Sequence, residues 1–228
     1  VPNVYKFPPN TDLHDHLLVR EGCIILQDKS SCFPAHILTK DMDVRGGTII
    51  DACAAPGNKT SHLAAILQNR VGKILAFDKD EKRLQLLSRR MKEAGASCIV
   101  KSQLQDFLQS KLDENVKAVL LDPSCSGSGM RQADTTHDPD RLKNLSAFQK
   151  RCLKHALSFP NVRRVTYSTC SVYREENEDV VCDVMKEFGN LFKLVPCVPQ
   201  WKRRGIYCEG LTKEQSESLL RVDPEKDL

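Results

Sequence analysis

Residues Asp51 to Thr60 read "DACAAPGNKT", the end of an apolar run, a turn of small residues holding Pro56 and Gly57, then a lysine and a threonine. The stretch looks like a phosphate loop and fails as one. A Walker A loop needs G-x-x-x-x-G-K-[ST], whereas here Ala52 takes the first glycine position and Asn58 separates Gly57 from Lys59. A dinucleotide fingerprint needs three glycines, and this turn has only Gly57. A strand, a tight turn and a helix N-terminus still place backbone amides at the carboxyl edge of a sheet, where doubly wound folds hold nucleotide-like ligands. Asp78 ends the next apolar run, 21 residues after Gly57, close to the offset at which an acid reaches ribose hydroxyls. The competing reading is that Asp78 only caps the following helix. Without glycines for close approach of a pyrophosphate, the favoured ligand is an adenosine that lacks phosphates, and S-adenosylmethionine is the common one. Asp106, after the third run, is a candidate adenine contact with a simple cap as its alternative. Lys59 opposes the helix dipole by about 0.3–1 kcal/mol, which fits a lysine turned toward the site.

Outward from this turn, "TIIDA", "KILAFD", "SCIVK", "VKAVLLD" and "RRVTYST" alternate with helical patterns, as a parallel sheet buried on both faces requires. The fold class is α/β, a doubly wound Rossmann-like arrangement. Leu84, Leu87, Met91 and Ala94, followed by Gly95, predict a helix over about 80–94. Leu142, Leu145, Cys152 and Ala156 predict a longer one before Pro160, and Val180, Val181, Val184, Met185 and Phe188 another that opens on the acids of "REENED", suited to the positive end of the helix dipole. Residues 1–45 read as an extension that leans on the core and 46–228 as the main domain. Val1 in place of an initiator methionine and the polar ending "LLRVDPEKDL" read as a fragment whose C-terminal end is truncated.

The 228 residues suffice for one α/β domain and an arm. With 40% hydrophobic and 28% charged residues and no long apolar run, neither a signal segment nor a membrane span is read. The net charge of +4 decides nothing about nucleic acid. Ten cysteines without a C-x-x-C pair, and histidines without ligand spacing, argue for a reducing intracellular compartment and against a metal.

Two cysteines stand apart. The fourth and fifth runs end in "LLDPSCSGSG" and "TYSTCS", so Asp122, Cys125 and Cys170 are expected at the same carboxyl edge as the turn. A core cysteine packs as a small hydrophobe, the right reading for Cys98, Cys152 and Cys182 but a poor one for a cysteine set among Ser, Gly and Pro. Paired thiols beside a methyl donor suggest C5 methylation of a pyrimidine, with a redox pair as the weaker alternative. That carbon becomes nucleophilic once a thiolate has added to C6, and an acid sharing a proton near N3, a role for Asp122, stabilises the adduct. On the residues alone either thiol can attack.

The segments "DACAAPGNKT", "AFD", "LLDPSCSGSG" and "YSTCS", with the upstream "EGCIILQDKSSCFPA", resemble the Fmu/Sun (Nol/Nop/Sun) family of RNA cytosine-C5 methyltransferases, over about residues 17–188. The wording "DPSCSGSG" and "ENEDVV" is closest to the branch of the fifth Sun-domain member, which is associated with large-subunit ribosomal RNA. The resemblance implies that Cys53, Ala54, Ala55, Pro56, Gly57, Asn58 and Lys59, with Asp78, Arg83, Asp106 and Asp122, bind S-adenosylmethionine. It implies Cys170 as the nucleophile, Cys125 as the cysteine of product release, and Asp122 and Lys59 as their catalytic companions. It further implies RNA, ribosomal RNA in particular, as partner, and a monomeric nucleolar protein without metal or membrane. The chain departs from the family pattern at Asn58, usually glycine, and at Ser124, usually proline. The target base must be single-stranded or flipped out, with "RRMK" at Arg89, "VRR" ending at Arg164 and "WKRRG" at Trp201 as candidate RNA contacts. The rival readings are a noncatalytic RNA-binding assembly factor and, more remotely, a P-loop NTPase.

Overall fold

Strands β1 (Thr48–Asp51), β2 (Lys73–Asp78), β3 (Val100–Leu104), β4 (Val116–Leu121) and β5 (Arg164–Tyr167) form one sheet in the order β3-β2-β1-β4-β5. The β1–β2, β2–β3 and β1–β4 pairs are parallel. Because β2 and β4 flank β1 on opposite sides, the strand order reverses at β1, and in such sheets ligands bind outside the carboxyl ends of strands at that reversal. The computed structural model describes all residues except 2, 9, 10, 44, 69–71, 131–137, 224, 225 and 228. The chain divides into two compact units, Val1–Leu120 with Pro160–Thr166 and Leu121–Phe159 with Tyr167–Leu228.

In the first unit the apolar runs behave as a doubly covered sheet demands, with every residue of β1 buried. Helix α4 (Glu81–Glu93) matches its predicted span, with Leu87 and Met91 in the core and Leu84 and Ala94 half-buried. The run "SCIVK" is misplaced by the sequence reading, since β3 starts only at Val100. The turn after α4 persists through residue 99, the amides of Ile99 and Val100 both donating to the Ala96 carbonyl. Ladder pairing cannot begin until that turn is spent. Cys98 accordingly is exposed, not buried as expected. The N-terminal segment forms α1 (Leu17–Arg20) and α2 (Lys29–Thr39), and α2 packs on α3 (Asn58–Leu67), placing Ala35 and Leu38 in the same core as Ile49 and Leu63. Arg164, at the start of β5, donates from Nη1 to the carbonyls of Ile37 (3.1 Å), Leu38 (3.3 Å) and Lys40. A cation thus meets the carbonyls that the end of α2 leaves without intrahelical partners.

The second unit is built on α5 (Pro139–Leu157), α6 (Glu178–Phe188) and the short α7 (Lys213–Ser218), with a 3-10 turn at Arg174–Glu176 packed against α5 and α6. Helix α7 lies where the sequence shows no periodicity, yet its start carries a capping box between Thr212 and Gln215, a signal legible in the T-x-x-Q spacing. The acids of "REENED" differ from a solvated, dipole-facing stripe. Glu176 is 0% and Glu178 1% exposed. The Glu178 carboxylate takes Arg221 Nε at 2.6 Å, Arg221 Nη2, and the Ile206 amide at 2.9 Å. Burial pushes this carboxyl up, but the Arg221 guanidinium and the Ile206 amide outweigh burial and leave it below the ordinary glutamate value.

Breaking a buried pair strands a charge, so Arg221→Ala is expected to destabilise the fold by about 3–5 kcal/mol in urea denaturation at neutral pH. Because the folded carboxyl lies below its unfolded value, the pair's contribution is present above the unfolded pKa of about 4.3. It is lost as pH falls through the lowered folded value, so the two proteins should converge in stability there. Equal midpoints of Arg221→Ala and wild type at pH 7 would refute this account.

Candidate functional site

The turn after β1 is organised by Asp78. Its side chain is 3% exposed, and its Oδ2 accepts from the Ala55 amide at 3.3 Å while Oδ1 accepts from the Asp80 amide at 3.0 Å. Arg83 Nη2 lies 3.5 Å from Asp78 Oδ2 and donates to the Ala55 carbonyl at 2.6 Å. Asp80, not Asp78, caps α4, accepting from the Arg83 amide at 2.9 Å. The carboxylate of Asp78 therefore belongs to the turn, and with four lone-pair directions it retains acceptor capacity beyond these amides. A second buried aspartate, Asp51, accepts from Thr60 Oγ1 at 2.7 Å and ties the end of β1 to α3. Gly57 enters α3 with φ +105°, and a Cβ there would lie 3.1 Å from Met91 Cε, so both backbone and packing call for glycine. Asn58, at the position of the departing glycine, has its Oδ1 held by Arg90 Nη1 at 2.9 Å.

The structure thus brings Ala55, Gly57, Asn58, Asp78 and Arg83 into one connected arrangement, with Cys53, Ala54 and Pro56 in the same turn. Lys59 is half-buried in the first turn of α3. Asp106 is exposed and caps the 3-10 turn at Phe107, accepting from the Leu108 amide at 3.0 Å. Among the described residues no group of three or more His, Cys, Asp or Glu is placed to hold a metal, and no helix is long and apolar enough to cross a membrane.

In the second unit, Cys125 Sγ and Cys170 Sγ lie 3.1 Å apart, and neither is in a disulfide. Small residues make this approach possible. The Gly129 amide donates to the Cys170 carbonyl at 2.9 Å, and a Cβ on Gly129 would sit 3.0 Å from that oxygen. Ser128 Oγ accepts from the Val172 amide at 3.0 Å, and the hydroxyl oxygens of Ser126, Ser128 and Ser171 are each 3.1 Å from the other two. The two cysteine loops are stitched into one surface. Asp122, half-buried, accepts from Ser168 Oγ at 2.6 Å. Cys170 is exposed and Cys125 partly covered. The hydrogen bond to Cys170 and burial together push the Cys125 thiol up, away from ionisation.

The family model for 16S rRNA methyltransferase RsmB/F matches residues 39–205. The chain belongs to the RsmB/F family. It is 46% identical to a 28S rRNA (cytosine-C(5))-methyltransferase of Mus musculus, over 100% of this chain and 49% of the relative. It is 44% identical to the 25S rRNA (cytosine-C(5))-methyltransferase rcm1 of Schizosaccharomyces pombe, over 98% of this chain and 51% of the relative. The chain spans about half the length of these curated relatives. Among solved structures, NSun6 from Pyrococcus horikoshii with SFG superposes with a TM-score of 0.70 at 28% identity, covering 89% of this chain and 51% of that one.

In this RsmB/F chain four arginines of the basic clusters named as candidate RNA contacts also bond within the fold. Arg90 holds Asn58, Arg164 holds the end of α2, Arg203 Nε donates to Asp227 at 2.8 Å and Arg204 donates to the carbonyls of Cys197 and Val198. Trp201 is half-buried, its indole N–H bonded to the Arg221 carbonyl at 2.8 Å. Conversely, the sequence reading missed Gln149, Glu176 and Asn177, which hold the cysteine loops. Gln149 was open to detection, lying seven residues after Leu142 on the apolar stripe of α5, where a glutamine needs a buried partner.

Alkylation follows the thiolate fraction. With its thiol held protonated, Cys125 should react with iodoacetamide more slowly than a free cysteine through pH 7–9, its rate rising only above the ordinary range near 8.5. Peptide mass spectrometry across a pH series measures this, and a Cys125 profile identical to that of free cysteine would overturn it.

Proposed function

We propose that this chain is the catalytic part of an RNA (cytosine-C5)-methyltransferase that uses S-adenosylmethionine and acts on large-subunit ribosomal RNA through a covalent cysteine–C6 adduct. The carrying observation is the Cys125–Cys170 pair, two thiols outside any disulfide with their sulfurs 3.1 Å apart on stitched loops. The relatives' names support the ribosomal RNA substrate, and a ribosomal RNA substrate favours a nucleolar location. The division into an extension of residues 1–45 and a catalytic domain from 46 onward is part of the same proposal.

The donor set of the β1 turn fits S-adenosylmethionine. Asp78 offers buried acceptor capacity for ribose hydroxyls, the residues Cys53 to Gly57 carry small side chains, and Arg83 fixes the turn through Ala55. Lys59, Asp106 and Asp122 are assigned with them, Asp106 on the adenine side. When bound, the cofactor supplies an electrophilic methyl group.

The chain's own groups do the rest. Cys170, the exposed thiol, adds as thiolate to C6 of the cytosine, and the electrons displaced from the C5–C6 bond make C5 the nucleophile. Asp122 shares a proton on the N3 side as negative charge develops there. After transfer the C5 proton must leave and the sulfur–C6 bond must break, and Cys125 acts in this release. At 3.1 Å a protonated Cys125 can donate a hydrogen bond to Cys170 while the latter attacks.

Cys170→Ala should abolish methyl transfer and any covalent RNA adduct, whereas Cys125→Ala should accumulate a denaturant-resistant protein–RNA complex. Denaturing gels with labelled RNA distinguish them. An adduct from Cys170→Ala alone would reverse the assignment, and methylation intact in both variants would end the covalent mechanism. For the cofactor, Asp78→Ala should weaken S-adenosylmethionine binding by about 1.5–3 kcal/mol, and unchanged affinity in calorimetry would remove Asp78 from the site.

A further inference from the structure

Two consecutive residues where the 3-10 turn meets α6, Glu176 as the last of the turn and Asn177 just before the helix, each hold one cysteine loop. Glu176 Oε1 accepts from the Ser126 amide at 2.9 Å and Oε2 from Ser126 Oγ at 2.6 Å. Gln149 Nε2, on α5, lies 2.9 Å from Glu176 Oε1 and 3.0 Å from the Ser124 carbonyl. The residues on either side of Cys125 are therefore both fixed, Ser124 by Gln149 and Ser126 by Glu176. Asn177 does the same for Cys170. Its Oδ1 accepts from Thr169 Oγ1 at 2.7 Å, and its Nδ2 donates to the carbonyls of Ser171 (3.0 Å) and Tyr173 (2.7 Å). Residues 169 and 171, the two neighbours of Cys170, are thus both in its grip.

We infer that Glu176 and Asn177, with Gln149, are the positioning residues of the cysteine pair: they fix the two loops to one short piece of backbone and so set the distance between the two sulfurs. Loops of Ser, Gly and Cys have little packing of their own to fix a sulfur, and sulfur position is what the chemistry needs. Glu176 and Gln149, both 0% exposed, have no water to exchange partners with. A carboxylate accepting from an amide and a hydroxyl also makes shorter, stronger hydrogen bonds than a neutral pair does. Glu176 and Asn177 are joined by one peptide, about 3.8 Å between Cα atoms, so neither loop can shift without moving the anchor of the other. The dipeptide is a spacer for the thiols, distinct from any group that touches RNA or methyl donor.

This inference rests on the reading of Cys125 and Cys170 as the reacting thiols, but its central test does not use RNA. Diamide takes two hydrogens from a thiol pair and closes a disulfide at a rate that reports how often the sulfurs meet. Closure of Cys125–Cys170 in the chain alone, followed by peptide mass spectrometry, should be on the order of tenfold or more slower in Glu176→Gln and in Asn177→Ala than in wild type, since misplacement by about 1 Å can cost a hundredfold. Thermal melting reports whether each variant folds. Wild-type closure rates in the folded variants would overturn the inference. Should Glu176→Gln fail to fold, Ser126→Ala removes only the hydroxyl bound at 2.6 Å and should slow closure in the same sense, with an unchanged rate again overturning it. With RNA and methyl donor, Glu176→Gln should lower kcat and leave both KM values unchanged, and a change confined to KM would count against positioning. Slowed closure combined with no methylation by the wild-type enzyme would sink the proposed function and leave the spacer role standing.

Discussion

A carboxylate with no access to water must have its oxygens met by donors inside the protein. Glu176 is in that position, and the donors it finds are the amide and hydroxyl of Ser126 and the side-chain amide of Gln149. Much of the second unit follows from this requirement. Helix α5 must present Gln149 at a fixed height, Ser146 on the same helix must secure the 3-10 turn through the Glu175 carbonyl at 2.7 Å, and the loop after β4 must bring Ser126 inward. Tyr167, whose hydroxyl donates to the Glu176 carbonyl, is itself so enclosed that burial drives its phenol well above the usual tyrosine range. The cysteines inherit their places from this polar framework rather than from hydrophobic packing.

The first unit solves a related problem by a different route. There the backbone of a tight turn is held by side chains reaching from the next strand and helix. Asp78 takes the Ala55 amide, and Arg83 takes the Ala55 carbonyl, so one peptide of the turn is gripped from both sides. Arg83 Nη2 also lies 3.5 Å from Asp78 Oδ2, so the two side chains that grip the peptide are paired with each other. Gly57 then allows α3 to start against Leu87 and Met91 of α4 without a side chain in the way.

How much of this was readable beforehand depended on whether a residue's role was written in local pattern. Apolar runs and a 3.6-residue stripe gave the strands and the spans of α4 and α6 because burial on two faces or one is periodic. Turn chemistry located the loop after β1, and sulfur set among Ser and Gly marked Cys125 and Cys170 as non-core. What escaped is set by partners far off in sequence. Glu176 and Glu178 look like ordinary acids at a helix start, and only contacts 50 and 43 residues away, to Ser126 and Arg221, make them interior residues. The basic clusters hide a second kind of partner, since composition marks Arg90 and Arg164 only as charges while geometry bonds their guanidiniums to Asn58 and to the end of α2. The start of β3 was displaced because a hydrogen-bonded turn after a helix competes with the ladder for the same amides.

Arg164 also bears on how the chain comes into being. The carbonyl of Ile37 that it satisfies lies 127 residues earlier, so α2 is synthesised long before the cation that completes its end. At roughly 5–20 residues per second, that interval is on the order of ten seconds, during which α2 has α3 to lean on but bare carbonyls at its terminus. Such a distant closure places the last step of the N-terminal segment after the emergence of β5, whatever the order in which the central strands pair. The segment carrying α2 therefore emerges before the strand that completes it and is among the last parts of its unit to be finished.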